Sequence, residues 1–280
     1  MAHFARAPLS CSGQLRGALF SFILSALVLA VAPAFAVELV PHRAIYKMVL
    51  NSAQQGSGIN DVQGAMLYRV EEVCDGWTSE TKTLMRMYYE GDRQLDSVWS
   101  FANWESKDGL SYKFSTRNAR DGETLESLKG DVSLKKAGDA STAVFTQPSG
   151  LSIPLPKGTM FPTQYLISLI KAAQQGRKFL LKVVFDGSST DNPFTVNAVI
   201  KEIPADQRKR QAESAGLEDR RAWQIWMAFY AVKSKKSAPD FELSVRYRED
   251  GVSDFIMQDF GNFSLNITLQ DYETLPKASC

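Results

Sequence analysis

From His42 onward most segments of this chain alternate apolar and polar residues at period two, with many Tyr, Phe, Trp, Val and Ile among them. That spacing sends successive side chains to opposite faces of a β-strand. The plainest case sets Phe263, Leu265, Ile267 and Leu269 on one face and Ser264, Asn266, Thr268 and Gln270 on the other. Leu110, Tyr112 and Phe114 fall together in the same way, as do Ile45, Lys47 and Val49 opposite Tyr46, Met48 and Leu50. Between Ala222 and Val232 both faces are apolar, Trp223, Ile225, Met227 and Phe229 opposing Trp226, Tyr230 and Val232. Such a strand belongs inside a sheet or along a cavity wall. Asp-Gly pairs at Asp75-Gly76, Asp108-Gly109, Asp121-Gly122, Asp186-Gly187 and Asp250-Gly251 tolerate the positive φ of tight hairpins. Several lie between strand-like runs, most plainly Trp99 to Trp104, Leu110 to Phe114 and Thr124 to Lys136. About a dozen strands result, too many for a flat open sheet, so the predicted fold is mainly β: a single curled antiparallel sheet, spiral or open barrel-like.

One helix is predicted near 162–175, where Pro162 suits the first turn, Gln175-Gly176 the end, and Tyr165, Leu166, Leu169, Ile170 and Ala173 form one apolar stripe. It is expected to lie against the sheet and plug an end of the curl. The proline-rich approach from Ile153 to Pro162 reads as an ordered crossing between two halves. Pro204 to Arg221 reads as a charged surface loop or short helix, and Lys233 to Asp240 as a polar loop.

Ahead of the alternating region, the apolar stretch from Ala18 to Val31, preceded by Arg6 and Arg16 and followed by Ala34-Phe35-Ala36, reads as a secretory signal peptide, residues 1–36. It falls short of the ~20 residues that span a bilayer. Cys11 precedes the apolar core, which argues against lipid attachment, and no second long apolar run follows Ala36. The expected product is a soluble periplasmic domain, residues 37–280, with no transmembrane segment. Export removes Cys11 and leaves Cys74 and Cys280, which in an oxidising compartment form one disulfide; the alternative is an intermolecular bond through Cys280. The chain carries 32 Lys plus Arg against 31 Asp plus Glu, and the leader takes away two Arg and no acid. That balance offers no cation cluster for counterion release, so nucleic acid is not an expected partner.

No catalytic constellation appears. His42 is the one histidine after the leader, and no Gly-x-Ser-x-Gly accompanies it. One histidine and two oxidised cysteines do not make a zinc site, and Asp186 to Asn192 has its glycine in the wrong place for a calcium loop. Ser-x-x-Lys occurs three times, at Ser79–Lys82, Ser133–Lys136 and Ser168–Lys171, without the Ser-Asp-Asn and Lys-Thr-Gly elements that would give it meaning. Glu71 and Glu72 are adjacent in a strand and point apart, and glycine-rich phosphate cradles are absent. No catalytic residue, metal or cofactor is expected. The aromatic group of Tyr88, Tyr89, Trp99, Phe101 and Trp104 reads first as core. Lining a concave face, it would instead hold a lipid acyl chain under the 162–175 helix as a lid.

Several stretches together resemble the EipB cell-envelope-integrity family: His42-Arg43-Ala44-Ile45-Tyr46-Lys47, Gly64 to Trp77 with Cys74 inside, the Pro162-Thr163 helix, Asp254 to Phe260, and a cysteine near the far end. The resemblance covers nearly all of residues 37–280. It implies a periplasmic spiral of about fourteen strands, so roughly 12 to 14 are expected, and a disulfide that maps to Cys74 and Cys280. No active site carries over. The resemblance also implies a role in maintaining the envelope under stress and a tetratricopeptide-repeat protein as partner. The expected function is non-enzymatic binding of other periplasmic proteins by a monomer. The alternative is a lipid or lipoprotein carrier that binds an acyl chain within the curled sheet.

Overall fold

The computed structural model describes residues 37–280; the signal peptide expected at 1–36, with Cys11, lies outside the described residues. The strands are β1 (His42–Ala53), β2 (Ile59–Val73), β3 (Gly76–Tyr89), β4 (Gln94–Ser106), β5 (Ser111–Arg120), β6 (Glu123–Ser133), β7 (Ser141–Gln147), β8 (Ser152–Leu155), β9 (Thr159–Met160), β10 (Phe179–Val184), β11 (Phe194–Glu202), β12 (Ala222–Ala231), β13 (Phe241–Arg248), β14 (Ser253–Asp259) and β15 (Phe263–Thr274). Two helices interrupt them, α1 (Pro162–Gln174) and α2 (Ala205–Ser214). All fifteen strands join one sheet in the order β8-β7-β6-β5-β4-β3-β2-β1-β15-β14-β13-β12-β11-β10-β9. Every pairing is antiparallel except that of β9 with β10. The single curled, mainly β sheet expected from the alternation is what forms, nearly closed into a barrel with one seam between β8 and β9. Those two short strands occupy the proline-rich stretch read as a crossing; Pro154 is tolerated there because β8 is an edge strand.

The first described strand lies in the middle of the sheet. β1 pairs with β2 on one side and with β15 on the other, from His42 opposite Thr274 to Ala53 opposite Phe263. Alternation places Leu265, Ile267 and Leu269 inside, as read from the sequence. Ser264, on the face read as wet, is also buried, because a register shift between Leu50 and Ser52 brings Ser52 Oγ to 2.7 Å from its hydroxyl and lets Asn51 Nδ2 donate to it at 3.0 Å.

Because the strands run alternately up and down, the connections sort to two ends. The β2–β3, β4–β5 and β13–β14 turns, α1, α2, and both ends of the described chain gather at one. α1 plugs this end. Its Tyr165, Leu169, Ile170, Ala172 and Ala173 pack with Leu39, Leu180, Val196, Ile200, Trp223, Ile225 and Val245. Burial of this apolar stripe, at ~25 cal/mol per Å² removed from water, is what fixes the helix to the sheet. Pro162 occupies the first turn and Phe161 offers no side-chain cap. The cap comes from β4: Glu105, fully buried, accepts the Thr163 N–H at 2.7 Å and the Gln164 N–H at 2.9 Å, one on each carboxylate oxygen. A carboxylate there satisfies two of the helix's free donors and opposes its dipole. Burial nonetheless pushes Glu105 up to about 7, against the pull of those two hydrogen bonds.

Two glycines mark tight approaches. Gly76 was expected to serve a positive φ, yet it is an ordinary strand residue whose added Cβ would strike the Glu105 carbonyl of β4. Gly187 combines φ +72° with a Cβ position occupied by the Phe114 ring. α2 falls in the charged stretch after Pro204, as a short surface helix.

At the plugged end the C-terminal segment turns back along the N-terminal one. The Leu275 N–H donates to the Pro41 carbonyl at 2.8 Å, and Lys277 pairs with Glu38. The tail ends at Cys280, bonded to Cys74 in the β2–β3 turn with 5.7 Å between Cα atoms and 206 residues between them in sequence. Closing so long a loop removes unfolded-state entropy worth up to ~5 kcal/mol. Cys74→Ser or Cys280→Ser is expected to lower the melting temperature while leaving the β circular-dichroism signature intact; equal melting of oxidised and reduced protein would contradict this.

Glu105 gives a pH dependence. Its folded-state value lies above the ordinary 4.5, so its contribution is fully present below that value and is lost as pH rises through about 7. Melting temperature should fall between about pH 5 and pH 7, and the part due to Glu105 should vanish in Glu105→Gln. That variant should also lose about 1–3 kcal/mol, since the amide leaves one helix N–H unpaired. An unchanged pH slope in the variant would show that burial does not govern this carboxyl.

Candidate binding site

At the other end the sheet is open and encloses a cavity of about 590 Å³. Its wall follows from strand parity. Even residues of β1 and β2 and odd residues of β3 and β4 point inward, which brings Met48, Met66, Met85 and Trp99 to the lining. Gly64 sits between Met48 and Met85 in the register, so no side chain separates them. Beside Met48 the wall continues with Leu265 and Ile267 of β15, and farther round come Phe260 from the β14–β15 turn, Phe241 at the start of β13 and Phe194 at the start of β11. The rings brace one another: Phe241 stacks on Phe229 at 4.3 Å and meets Phe194 edge-on at 5.5 Å, and Phe260 stacks on Phe263 at 4.8 Å.

Polar groups enter from the strands, as Thr83, Ser97, Asn118 and Gln258, and from the β10–β11 loop. Phe185 anchors it, fully buried against the edges of Tyr112 and Phe114. Tyr112 Oη then donates to the Asp186 carbonyl at 2.9 Å, Thr116 Oγ1 donates to the Gly187 carbonyl at 3.1 Å, and Asn192 Oδ1 accepts the Asp186 N–H at 3.0 Å. The loop is thereby pulled inside the curl and presents Ser188, Ser189 and Asp191 to the cavity. Asp240, at the end of the β12–β13 loop, lines it from another side. Both carboxylates are engaged. Asp191 lies 3.3 Å from Lys233 Nζ, and Asp240 accepts the Ala231 N–H at 2.8 Å with Lys236 Nζ 3.5 Å away.

A larger concavity of about 760 Å³ lies on the outer face of β1–β4, between Lys47, Gln63, Leu84, Arg86, Tyr88 and Asp96. It is open, and its charges are already matched, Arg86 holding Asp96 through two hydrogen bonds of 2.7 and 2.8 Å. The inner cavity, with nine apolar and eight polar residues in its lining, has the character of a ligand site, and its volume falls in the ~300–1,000 Å³ range of such sites.

Of the aromatic group singled out in the sequence, only part reaches this space. Trp99 lines it and stacks on buried Phe101 at 5.6 Å. Tyr89 points inward into the neighbouring core. Trp104 has the opposite parity, so its ring lies outside under Lys113, with Nε1 donating to Asp75 at 3.3 Å. Tyr88 is likewise on the outer face. The five do not form one surface. Nor does α1 lid the cavity: it plugs the far end, and the 185–193, 232–240 and 260–262 loops frame the mouth.

His42 opens β1 as a buried residue. Its Nδ1 lies 2.7 Å from the Val40 carbonyl, and burial lowers its pKa. Ser79 and Lys82 of the first Ser-x-x-Lys point to opposite faces, Ser79 accepting from Asn103 Nδ2 at 2.6 Å and Lys82 pairing with Glu80. Glu71 and Glu72 also diverge, to Arg69 and Lys107. Among the described residues, no group of three or more His, Cys, Asp or Glu is placed to hold a metal ion, and no helix is long and apolar enough to cross a membrane. Met66, Thr83, Met85, Ser97, Asn118, Phe194 and Phe241 line the cavity without having been singled out in the sequence.

Comparison with known proteins places this architecture. The EipB-like family model matches residues 33–276. The cell envelope integrity protein EipB of Brucella abortus (strain 2308) is 28% identical over 255 residues, covering 88% of this chain and 89% of that protein. A crystal structure of a beta-barrel-like protein of a domain of unknown function, DUF1849, from Brucella abortus superposes with a TM-score of 0.77 at 25% identity, covering 86% of this chain and all of that one.

The cavity should take up an apolar fluorophore such as N-phenyl-1-naphthylamine at one per chain, with enhanced emission. Met66→Trp, which fills the space, is expected to weaken uptake about tenfold or more, whereas Leu84→Ser on the outer face leaves it unchanged. Equal uptake by Met66→Trp, still folded by its melting curve, would place the dye elsewhere.

Proposed function

The chain belongs to the EipB-like family, and from that premise we propose that it maintains the integrity of the cell envelope from the periplasm, without catalysis, by binding other periplasmic proteins. In this reading residues 1–36 direct export and are removed, residues 37–280 act as one monomeric domain, and the Cys74–Cys280 bond keeps that domain folded when the envelope is stressed. The observation that carries the protein-binding reading is an apolar row on the outer face. Phe179, Val199 and Trp226 are cross-strand neighbours, exposed by 68%, 39% and 42%, and Leu181 beside them is exposed by 65%. Contiguous apolar surface of this kind marks a docking site. β9 pairs only with Val183 and Val184, so the earlier half of β10 has no strand on its outer side and offers backbone groups to an incoming segment. A tetratricopeptide-repeat protein is the kind of partner that the family resemblance implies.

The inner cavity favours a second reading, a carrier that holds an acyl chain of a lipid or lipoprotein. The two make different predictions in the cell. With a photo-crosslinking residue at position 179 or 226, the protein-binding reading expects a discrete protein adduct, lost when Leu181→Ser and Val199→Ser are combined. No protein adduct, together with one acyl lipid per chain in the purified material, would replace it with the carrier reading.

A further inference from the structure

We propose that the cavity takes a single acyl chain of an amphiphile with a negatively charged head, the head resting on the lysine-rich 233–236 segment; this rests on the carrier reading above. The cavity has direction. α1, capped by Glu105 and packed on Leu39, blocks one end, so a chain can enter only from the mouth, tail first. Nine of its seventeen lining residues are apolar: three methionines, three phenylalanines, Trp99, Leu265 and Ile267. Thioether side chains repack around flexible guests at little cost, which suits an alkyl tail better than a rigid ligand.

The head group is selected by what stands at the mouth. No Lys or Arg lines the cavity itself, and its two carboxylates, Asp191 and Asp240, already have cationic partners in Lys233 and Lys236. Lys233 is further fixed by donating to the Thr190 carbonyl at 2.6 Å, in the loop that brings Ser188 and Ser189 to the lining. Lys235 lies between these two lysines and has no carboxylate partner among the described residues. The two rim loops carry three lysines and three carboxylates; Asp186 is taken up by the Ser188 N–H at 2.8 Å and Asp191 and Asp240 by Lys233 and Lys236, so Lys235 is the rim charge left for a ligand. A cationic head would have to displace a lysine from Asp191 or Asp240; an anionic head adds to the pairs already there, with the Ser188 and Ser189 hydroxyls as donors.

The test is displacement of the bound fluorophore from residues 37–280 by single-chain amphiphiles of one tail length, below their critical micelle concentrations. The probes are lysophosphatidylglycerol, lysophosphatidylcholine, an alkyl glucoside and an alkyltrimethylammonium. Lysophosphatidylglycerol is expected to bind about fivefold or more tighter than the glucoside, with the advantage shrinking in 0.5 M salt. Lys235→Glu is expected to abolish that preference while leaving fluorophore and glucoside binding unchanged. Equal binding of all four heads, or preference for the ammonium, overturns the anionic head and leaves the carrier reading standing. Failure of every amphiphile to displace a dye that does bind overturns both.

Discussion

The pairing of β1 with β15 is the contact on which the rest of the fold depends. Without it the sheet is two separate meanders, β1–β8 and β9–β15, each with a long bare edge. The pairing runs almost the full length of both strands, from His42 with Thr274 to Ala53 with Phe263, and it joins residues more than two hundred positions apart. Closing so long a loop costs chain entropy before any contact offsets it. The closing end of the sheet accordingly concentrates its fastenings there: the Leu275–Pro41 hydrogen bond, the Lys277–Glu38 pair and the Cys74–Cys280 bridge all hold the tail of β15 beside the start of β1 and the β2–β3 turn.

Much of this was legible locally. The alternation in Phe263 to Gln270 is a property of neighbouring residues, and it predicted both the strand and its buried face, as Pro162 and the stripe from Tyr165 to Ala173 predicted α1. Period two also says that Trp99 and Trp104 point apart. Which of them faces inward depends on the direction in which the sheet curls, and no single strand records that. The same limit hid the cavity. Met48, Met66 and Met85 are each an ordinary inward residue, and they meet only because Gly64 leaves the space between β1 and β3 clear. Glu105 shows the limit most sharply. It reads as one more charged residue in a strand, and its use as the cap of α1 arises 58 residues later in the chain.

The two ends of the molecule have opposite chemistry for a topological reason. Strands of a meander alternate in direction, so the turns of odd and even order never mix. The long excursions, α1 and α2, both fall at one end and fill it with side chains. The loops left at the other end are shorter and polar, and they leave a cavity. A wall shared by stacked rings and methionines is thus open to a guest from one side only, while the outer face of β10–β12 keeps a separate apolar row for a different kind of contact.

The seam has its own consequence. Only Pro156, Lys157 and Gly158 separate β8 from β9, so the two outermost strands of a fifteen-stranded sheet are also successive in the chain. The sheet's margins are therefore tethered to each other by a few residues, and any widening of the curl must be taken up along that short hinge. The tether lies beside the β6–β7 turn, where the Gly158 N–H donates to the Gly138 carbonyl at 2.9 Å, so at that end the girth of the curl is set by the backbone and not by packing alone.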